Sequence, residues 1–364
     1  MNSQSTTYSL PQEKSNHGIA WNWRRFKIKL LHWEYWPVYI FNIPVLFTWI
    51  WNALRSRDLF FFTLTNPGIE TGGFFGESKS QILRHIPDEF KPKTVLWESP
   101  VHEDEIEDLF IHSGLNFPVI VKPEVGERGW LIARISTMQE LADYIKSHPI
   151  DLILQPFIEM PMEVSIMVYQ LPDGSKSEVT SICQKEFLQV KGDGRSTIEQ
   201  LMLSDDRAFL HYDKLIRKVG ADRYKVLAQG ESLLLEPIGN HCRGTKFMNL
   251  NQKIDDQIKA VMVKLLNSMP DVYYGRFDMK ISSWEDLRAG KGVQVLEFNG
   301  ASSDPAHIYD PGYSLVRAYR DIFYHWRTMA KIARQNRKAG KKPVSLKKIL
   351  SGLIIYFRYK RTNN

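Results

Sequence analysis

The sequence predicts a mixed α/β body carrying two flanking segments of different composition, and three observations predict it. Short apolar runs bounded by turn residues recur between residues 117 and 298, some continuous and some alternating, as strands do. Runs with apolar residues three and four apart stand between and after them, as helices do. Aromatic residues crowd the N-terminal side, and lysine and arginine crowd the C-terminal end. At 364 residues the chain is long enough for two or three domains. With 43% hydrophobic and 24% charged residues, global disorder is excluded.

Residues 1–20 are polar and are read as a disordered N-terminus. Residues 21–77 form an aromatic-rich segment, with six of the ten tryptophans lying between Trp21 and Leu64. Its most apolar stretch, Trp36–Trp51, is 16 residues long and contains Pro37 and Pro44. A membrane-spanning helix needs about 20 apolar residues with few breakers, so a span is not expected. A cleavable signal peptide is not expected either, because no small-residue cleavage site follows. Two readings stay open for this segment. It is an interfacial element, tryptophan at the headgroups and basic residues on anionic lipid, or an aromatic helical hairpin packed on the main body.

Within the body, Phe117–Lys122 and Leu152–Gln155 read as short buried strands. Glu163–Gln170 alternates and meets Pro172-Asp173-Gly174, predicting a hairpin with a strand over Ser177–Cys183. Gln257–Leu266 has helical spacing, with Ile258, Val261, Met262 and Leu265 on one face. Val293–Phe298 is a strand and Leu315–Ala333 a closing helix. Beyond it, Val344–Phe357 interleaves apolar residues with Lys347 and Lys348, as an amphipathic helix on a membrane or polyanion would. A solvated, disordered tail is the alternative.

The net charge of +7 is uneven: residues 331–364 contribute +11 and residues 21–57 contribute +5, leaving −9 for the rest. An acidic body argues against specific nucleic-acid binding. Two cysteines exclude a disulfide framework and a four-cysteine zinc site, and fit a reducing compartment. Cys183 and Cys242 are read as buried thiols, His307 as structural or touching substrate, and the acidic run from Glu103 to Asp108 as a solvated helix start.

Three separated pieces carry chemistry. In Phe117-Pro118-Val119-Ile120-Val121-Lys122-Pro123, a lysine ends a buried strand, where it needs an anionic partner. The glycines of Gly126-Glu127-Arg128-Gly129 follow at once, and such a turn brings backbone N–H groups to phosphate oxygens. In Tyr274-Gly275-Arg276-Phe277-Asp278-Met279-Lys280 and Val295-Leu296-Glu297-Phe298-Asn299-Gly300, alternation places Arg276 with Asp278, and Glu297 with Asn299. If these strands are neighbours, Asp278, Glu297 and Asn299 converge as three oxygen ligands suited to magnesium, with Arg276 beside them.

In this order and spacing the pieces resemble the ATP-grasp superfamily of carboxylate–amine ligases, over about residues 78–320. The resemblance implies two α/β lobes clamping ATP, residues 78–155 and 156–320, followed by the closing helix and basic tail over 321–364. GRFD followed by LEFN resembles the metal strands of D-alanine–D-alanine ligases, which implies magnesium on Asp278, Glu297 and Asn299, with two ions expected and manganese as an alternative. The resemblance further implies Lys122 and Lys79 as phosphate lysines, and Gly126, Glu127, Arg128 and Gly129 as the phosphate loop. It implies adenine along Gln155, Phe157 and Ile158, and ribose on Glu163. Lys185 with the Gly192-Asp193-Gly194 segment, and the loop Gly239–Gly244 containing Arg243, resemble cyanophycin synthetases and related ligases. This implies catalytic roles for Arg276, Lys185 and Arg243.

The departures concern the substrate. The aromatic segment does not resemble the N-terminal domain of D-alanine–D-alanine ligases, and the phosphate loop is not serine-rich as theirs is. The expectation is therefore an ADP-forming ligase joining a small-molecule carboxylate to an amine through an acyl phosphate. It is expected in the cytoplasm, peripheral on the inner face of the membrane. The alternative is an inactive nucleotide-binding scaffold or sensor at the membrane surface.

Overall fold

The computed structural model describes residues 17–126, 129–352 and residue 354. The disorder expected for residues 1–16 therefore falls outside the described residues. Helix α1 (Ile19–Leu31) begins inside the stretch that composition marks as unstructured. It packs Ile28 against Phe209 and Leu210, and Arg24 donates to the Leu203 carbonyl and pairs with Asp206 at 2.8 Å. Part of the N-terminal basic charge is thus engaged with the body.

The aromatic run breaks where its prolines sit. Pro37 caps α2 (Val38–Phe41), and Pro44 lies in the first turn of α3 (Ile43–Ser56), where its missing N–H has no helical partner to lose. Among the described residues no helix is long and apolar enough to cross a membrane. One side of α3 buries Val45, Asn52 and Ala53, while Phe47 and Leu54 on the other side are 68% and 70% exposed. The segment is therefore a helical element packed on the body, with an apolar outer face.

Helix α4 (Lys79–Arg84) opens the first lobe, its N-terminus capped by the Ser78 hydroxyl accepting from the Gln81 N–H at 3.1 Å. There follow β1 (Val95–Trp97), α5 (Ile106–Ser113), β2 (Val119–Pro123), β3 (Ala133–Ile135), α6 (Met138–Ser147) and β4 (Leu152–Pro156). The strands form an antiparallel sheet in the order β1-β4-β2-β3. Val119, Val121, Leu152 and Leu154 pack with Ile106, Phe110, Leu141 and Ile145 of the two helices. Strand alternation then puts Ile120 and Lys122 on the opposite face, towards the second lobe.

The second lobe is built on β5 (Met162–Gln170) and β6 (Ser177–Glu186), joined at the expected turn, where Gly174 takes a φ of 71°. Next come β7 (Gln189–Lys191), α7 (Ile198–Ser204), α8 (Asp206–Leu210), α9 (Tyr212–Val219), β8 (Ser232–Leu234) and β9 (Lys246–Asn249). They are followed by α10 (Asp256–Asn267), β10 (Tyr274–Ile281), α11 (Trp284–Arg288), β11 (Val293–Asn299) and α12 (Leu315–Lys338). The main sheet runs β11-β10-β5-β6-β9, antiparallel throughout, and β7 pairs with β8 apart from it. One face carries Val164, Ile166, Phe277 and Met279 against Ile258, Met262, Leu265 and Leu266 of α10. Each of these fully buried side chains contributes about 1.5–3 kcal/mol.

Helix α12 runs five residues further than the expected Ala333, ending at Lys338. Its last turn is anchored: Asn336 donates to the Leu64 carbonyl, and Arg337 donates to the Ser56 carbonyl and to Asp58. Of the expected tail helix, residues 346–352 are helical and Ile349 is buried; residues 355–364 lie outside the described residues.

Candidate active site

The charged face of β10 organises the site. Tyr274, Arg276, Asp278 and Lys280 alternate along it, paired in register with Tyr169, Met167, Ser165 and Glu163 of β5. On its other side Asp278 stands opposite Glu297, and Arg276 opposite Asn299. The two strands are neighbours, and the three expected metal-ligating residues share one patch.

A β-bulge sets the aim of Glu297. Pairing steps from Asp278↔Glu297 to Met279↔Val295, leaving Leu296 as the extra residue of β11. The shift lets Val293, Val295 and Phe298 all bury themselves while Leu296, Glu297 and Asn299 line the cleft. Lys122 of the first lobe donates its ammonium to the Leu296 carbonyl at 2.9 Å.

Asp278 is buried and fully engaged. Ser165 donates to it at 2.6 Å, Arg276 in a fork at 3.0 and 3.2 Å, and Lys185 stands 3.7 Å away. Burial alone would raise its pKa, but the charges of Arg276 and Lys185 outweigh that and hold it at about 2. Lys185 also pairs with Glu163 at 2.9 Å. Burial opposes its charge, yet Asp278 and Glu163 keep its pKa above the ordinary lysine value. At Lys122 the balance is reversed. Burial pulls its pKa down to about 8, against the attraction of Glu297, and nearby Lys79 pulls the same way.

Lys79, at the first residue of α4, donates to the carbonyls of Gly126 at 2.7 Å, Pro123 at 3.2 Å and Glu124 at 3.4 Å. It holds the stem of the expected phosphate loop. Glu124 braces the same stem, accepting from the Ser80 hydroxyl at 2.7 Å and its backbone N–H. Arg243 reaches across from the second lobe and donates to the Gly129 carbonyl at 2.7 Å. Gly129 has a φ of +70°, and a Cβ there would meet the Asn240 amide at 2.8 Å, so both backbone and space require glycine. Glu127 and Arg128 lie outside the described residues.

The expected hinge residues Gln155, Phe157 and Ile158 line the cleft. The Gln155 amide donates to Thr94 at 2.8 Å, the Phe157 ring lies beside Arg134 and Lys280, and the Ile158 carbonyl accepts from Lys280 at 2.8 Å. The Glu163 carboxylate faces Lys185 and lies so close under Gly239 that a Cβ there would sit 2.3 Å from its oxygen.

One cavity of about 1170 Å³ takes in these residues from both lobes, together with Trp33, Trp36, Phe41 and Trp49 of the aromatic segment. Sequence reasoning missed Glu34 of that segment. It is buried in the cavity wall, accepting from Arg207 at 3.0 Å and facing His241 at 2.9 Å. Burial would raise its pKa, but His241 and Arg207 lower it overall. The available signal was that Glu34 is the one acid in the basic stretch of residues 21–57. One further expectation is overturned, at Cys242, and the two readings of His307 are narrowed to one. Cys242 is exposed rather than buried, because it lies on the Gly239–Gly244 loop, whereas Cys183 is buried in β6. His307 is buried on Ser181 at 2.8 Å and Asp321 at 3.2 Å, a structural position rather than one in the cleft wall.

Among the described residues no group of three or more His, Cys, Asp or Glu could hold a metal ion. The set here is two carboxylates and an amide, Asp278, Glu297 and Asn299. Oxygen donors of this kind fit a hard cation such as magnesium, which keeps part of its water shell.

Two α/β lobes thus present antiparallel sheets to one cleft, the arrangement that the sequence resemblance implies. No family model matches the chain, and no curated protein matches it in sequence. Solved structures similar to it include a bifunctional glutathione synthetase from Pasteurella multocida, at 13% identity and a TM-score of 0.36, covering 67% of this chain and 35% of that one. The VanG D-Ala:D-Ser ligase from Enterococcus faecalis is similar at 14% identity and a TM-score of 0.37, covering 68% and 60%. A D-alanine–D-alanine ligase from Bacillus anthracis is similar at 12% identity and a TM-score of 0.40, covering 71% and 67%. The match thus spans about a third and about three fifths of the first two chains.

Proposed function

We propose that this protein is an ATP-grasp ligase that forms a carboxylate–amine bond with release of ADP and phosphate. The observation that carries the reading is the Asp278–Glu297 cross-strand pair, with Arg276 and Asn299 beside it and Lys122 facing it from the other lobe. Acids and bases so arranged on both sides of a cleft suit a polyphosphate and a hard cation.

A substrate carboxylate oxygen attacks the γ-phosphorus of ATP, and the bond from that phosphorus to the bridging β–γ oxygen breaks as ADP departs. An amine nitrogen then attacks the acyl carbon, the carbon–oxygen bond to phosphate breaks, and the amine proton leaves to phosphate or water. Lys122 and Lys79 hold charge on the phosphate side, and Arg276 stabilises charge on the acyl side. Arg243, by gripping Gly129, positions the loop over the phosphates. Magnesium on Asp278, Glu297 and Asn299 would neutralise charge on the transferring phosphoryl group. The chain supplies mainly positioning and electrostatics, since neither step needs a covalent enzyme intermediate.

The exposed apolar side of α3 and the basic tail support peripheral attachment to an anionic membrane. The test of function is a panel of amino acids, short peptides and amphiphilic carboxylates, with amines, scored for magnesium-dependent release of ADP and phosphate. ATP binding without turnover on the whole panel would favour a nucleotide-binding scaffold instead.

A further inference from the structure

The cavity does not end at the charged cluster. Four residues before Asp278 on the same strand face, about 13 Å away by strand rise, stands Tyr274. Tyr274 belongs to an apolar cluster with Phe62, Met167 and Met329, and Trp49 and Trp326 pack on that cluster. These residues line the same cavity as Arg276 and Asp278, apart from Met167 beneath. The Tyr274 hydroxyl and His325 Nδ1 are hydrogen-bonded to each other at 3.0 Å. The hydroxyl and Nδ1 thus satisfy each other, and the wall around them is largely hydrocarbon and aromatic, with Ser303 and Asp304 as its polar members. At about 1170 Å³ the cavity exceeds the ~300–1,000 Å³ usual for a single small ligand.

The wall of this arm formed by α3 is also informative. Val45, Leu46 and Trp49 line the cavity, while Phe47 and Leu54 of the same helix face outwards and are exposed. A purely polar substrate would leave the arm's apolar surface in contact with water. A molecule with an ionic head and an apolar tail would cover both ends.

We propose that the substrate carboxylate of this site belongs to an amphiphile, with its anionic head near Arg276 and its hydrocarbon tail in the arm between β10, α3 and α12. This rests on the ligase reading for the head, whereas the arm itself stands on the cavity lining.

The test measures binding by calorimetry of N-acetylglycine, N-hexanoylglycine and N-decanoylglycine to the full chain, with a separate titration of magnesium-ATP on the same preparation. Complete burial of a tail gives about fourfold tighter binding per added CH₂, so at least twofold per CH₂ is expected here. Affinity that does not depend on chain length overturns the proposal. Decyl maltoside binding as tightly as N-decanoylglycine also overturns it, because the arm would then take hydrocarbon without regard to the head. Leu46→Glu places a charge in the arm at a half-exposed position and should weaken N-decanoylglycine at least tenfold while leaving N-acetylglycine and magnesium-ATP unchanged. If that variant loses ATP binding as well, Ile43→Glu, at another half-exposed lining position, replaces it, and an unchanged N-decanoylglycine affinity in that variant counts against the arm. Absence of ATP binding by the unmodified chain would sink the ligase reading, and chain-length dependence would still decide the arm.

Discussion

Lys122 and Leu296 are joined across the cleft, the ammonium of one lobe donating to the bulged carbonyl of the other at 2.9 Å. The contact puts a lysine with a pKa lowered to about 8 next to Glu297, a cleft-lining carboxylate less buried than Asp278 or Glu163. A polyphosphate entering there would meet a cation already held in place, at the cost of displacing a single backbone contact.

Lys122→Met should therefore weaken ATP much more than AMP. A charge-assisted hydrogen bond contributes about 1.5–3 kcal/mol, which is roughly 10- to 150-fold in affinity for the triphosphate. Calorimetry with both nucleotides measures this, and equal losses would make Lys122 a structural strand-end residue.

The same group gives a pH dependence. Its pKa in the fold, about 8, lies below the ordinary lysine value, so its ammonium is lost as pH rises through 8 in the free protein. ATP affinity of the unmodified chain should fall above that pH, and Lys122→Met should flatten this part of the profile. For stability the sign is opposite: between about pH 8 and 10.5 the unfolded chain binds more protons, so this group favours folding more as pH rises.

Asp278→Asn and Glu297→Gln should separate fold from chemistry. Removing the Asp278 charge leaves Arg276 and Lys185 buried without it, and breaking such a cluster costs about 3–5 kcal/mol. Glu297 lies at the cleft wall, so Glu297→Gln should keep the melting temperature within a few degrees and abolish turnover. Turnover undiminished in Glu297→Gln would remove the metal assignment. Acid should reveal Asp278 as well. With its pKa depressed to about 2, its contribution of about 2 kcal/mol is full above its unfolded pKa near 4 and is lost as pH falls through 2.

Gly239→Ala tests how closely the second-lobe loop covers Glu163. The added Cβ would lie 2.3 Å from the Glu163 carboxylate, so either the loop or the Glu163–Lys185 pair must move. Weaker ATP and AMP binding together is the expected result, because the displaced carboxylate lies at the nucleoside end. A change confined to ATP would assign the loop to the phosphates.

How far the sequence could be read depended on whether a feature was local. Strand alternation placed Arg276 with Asp278, and Glu297 with Asn299, because period and turn signals are written within a few residues, whereas the pairing of the two strands was only a condition. The hairpin at Gly174 and the buried face of α10 were legible for the same reason. The bulge at Leu296 was not, because it exists only in the register between two strands. Nor was the meeting of Glu34 with Arg207 and His241, whose partners lie 173 and 207 residues away. The length of α12 was underestimated because its last turn reads as the start of a basic tail. Arg337 and Asn336 keep it helical by binding the end of α3 and the turn after it.

Membrane attachment is the remaining prediction, and the anchored end of α12 changes how it should be tested. Deleting from residue 331 would remove Ile332, Ala333 and Ile349 from the core, so truncation should begin after Ile354. That removes three Lys/Arg, each contributing about 1 kcal/mol near an anionic surface. Phe47→Asp with Leu54→Asp alters the apolar side of α3 at two exposed positions without entering the cavity wall. Flotation with vesicles containing phosphatidylserine should recover the unmodified chain at low salt and lose it progressively as salt is raised. Truncation should reduce the salt-sensitive part, and the paired α3 substitutions the salt-resistant part. Equal recovery of all three proteins, or none of the unmodified chain on any vesicle, would confine the apolar side of α3 to some contact other than a lipid surface.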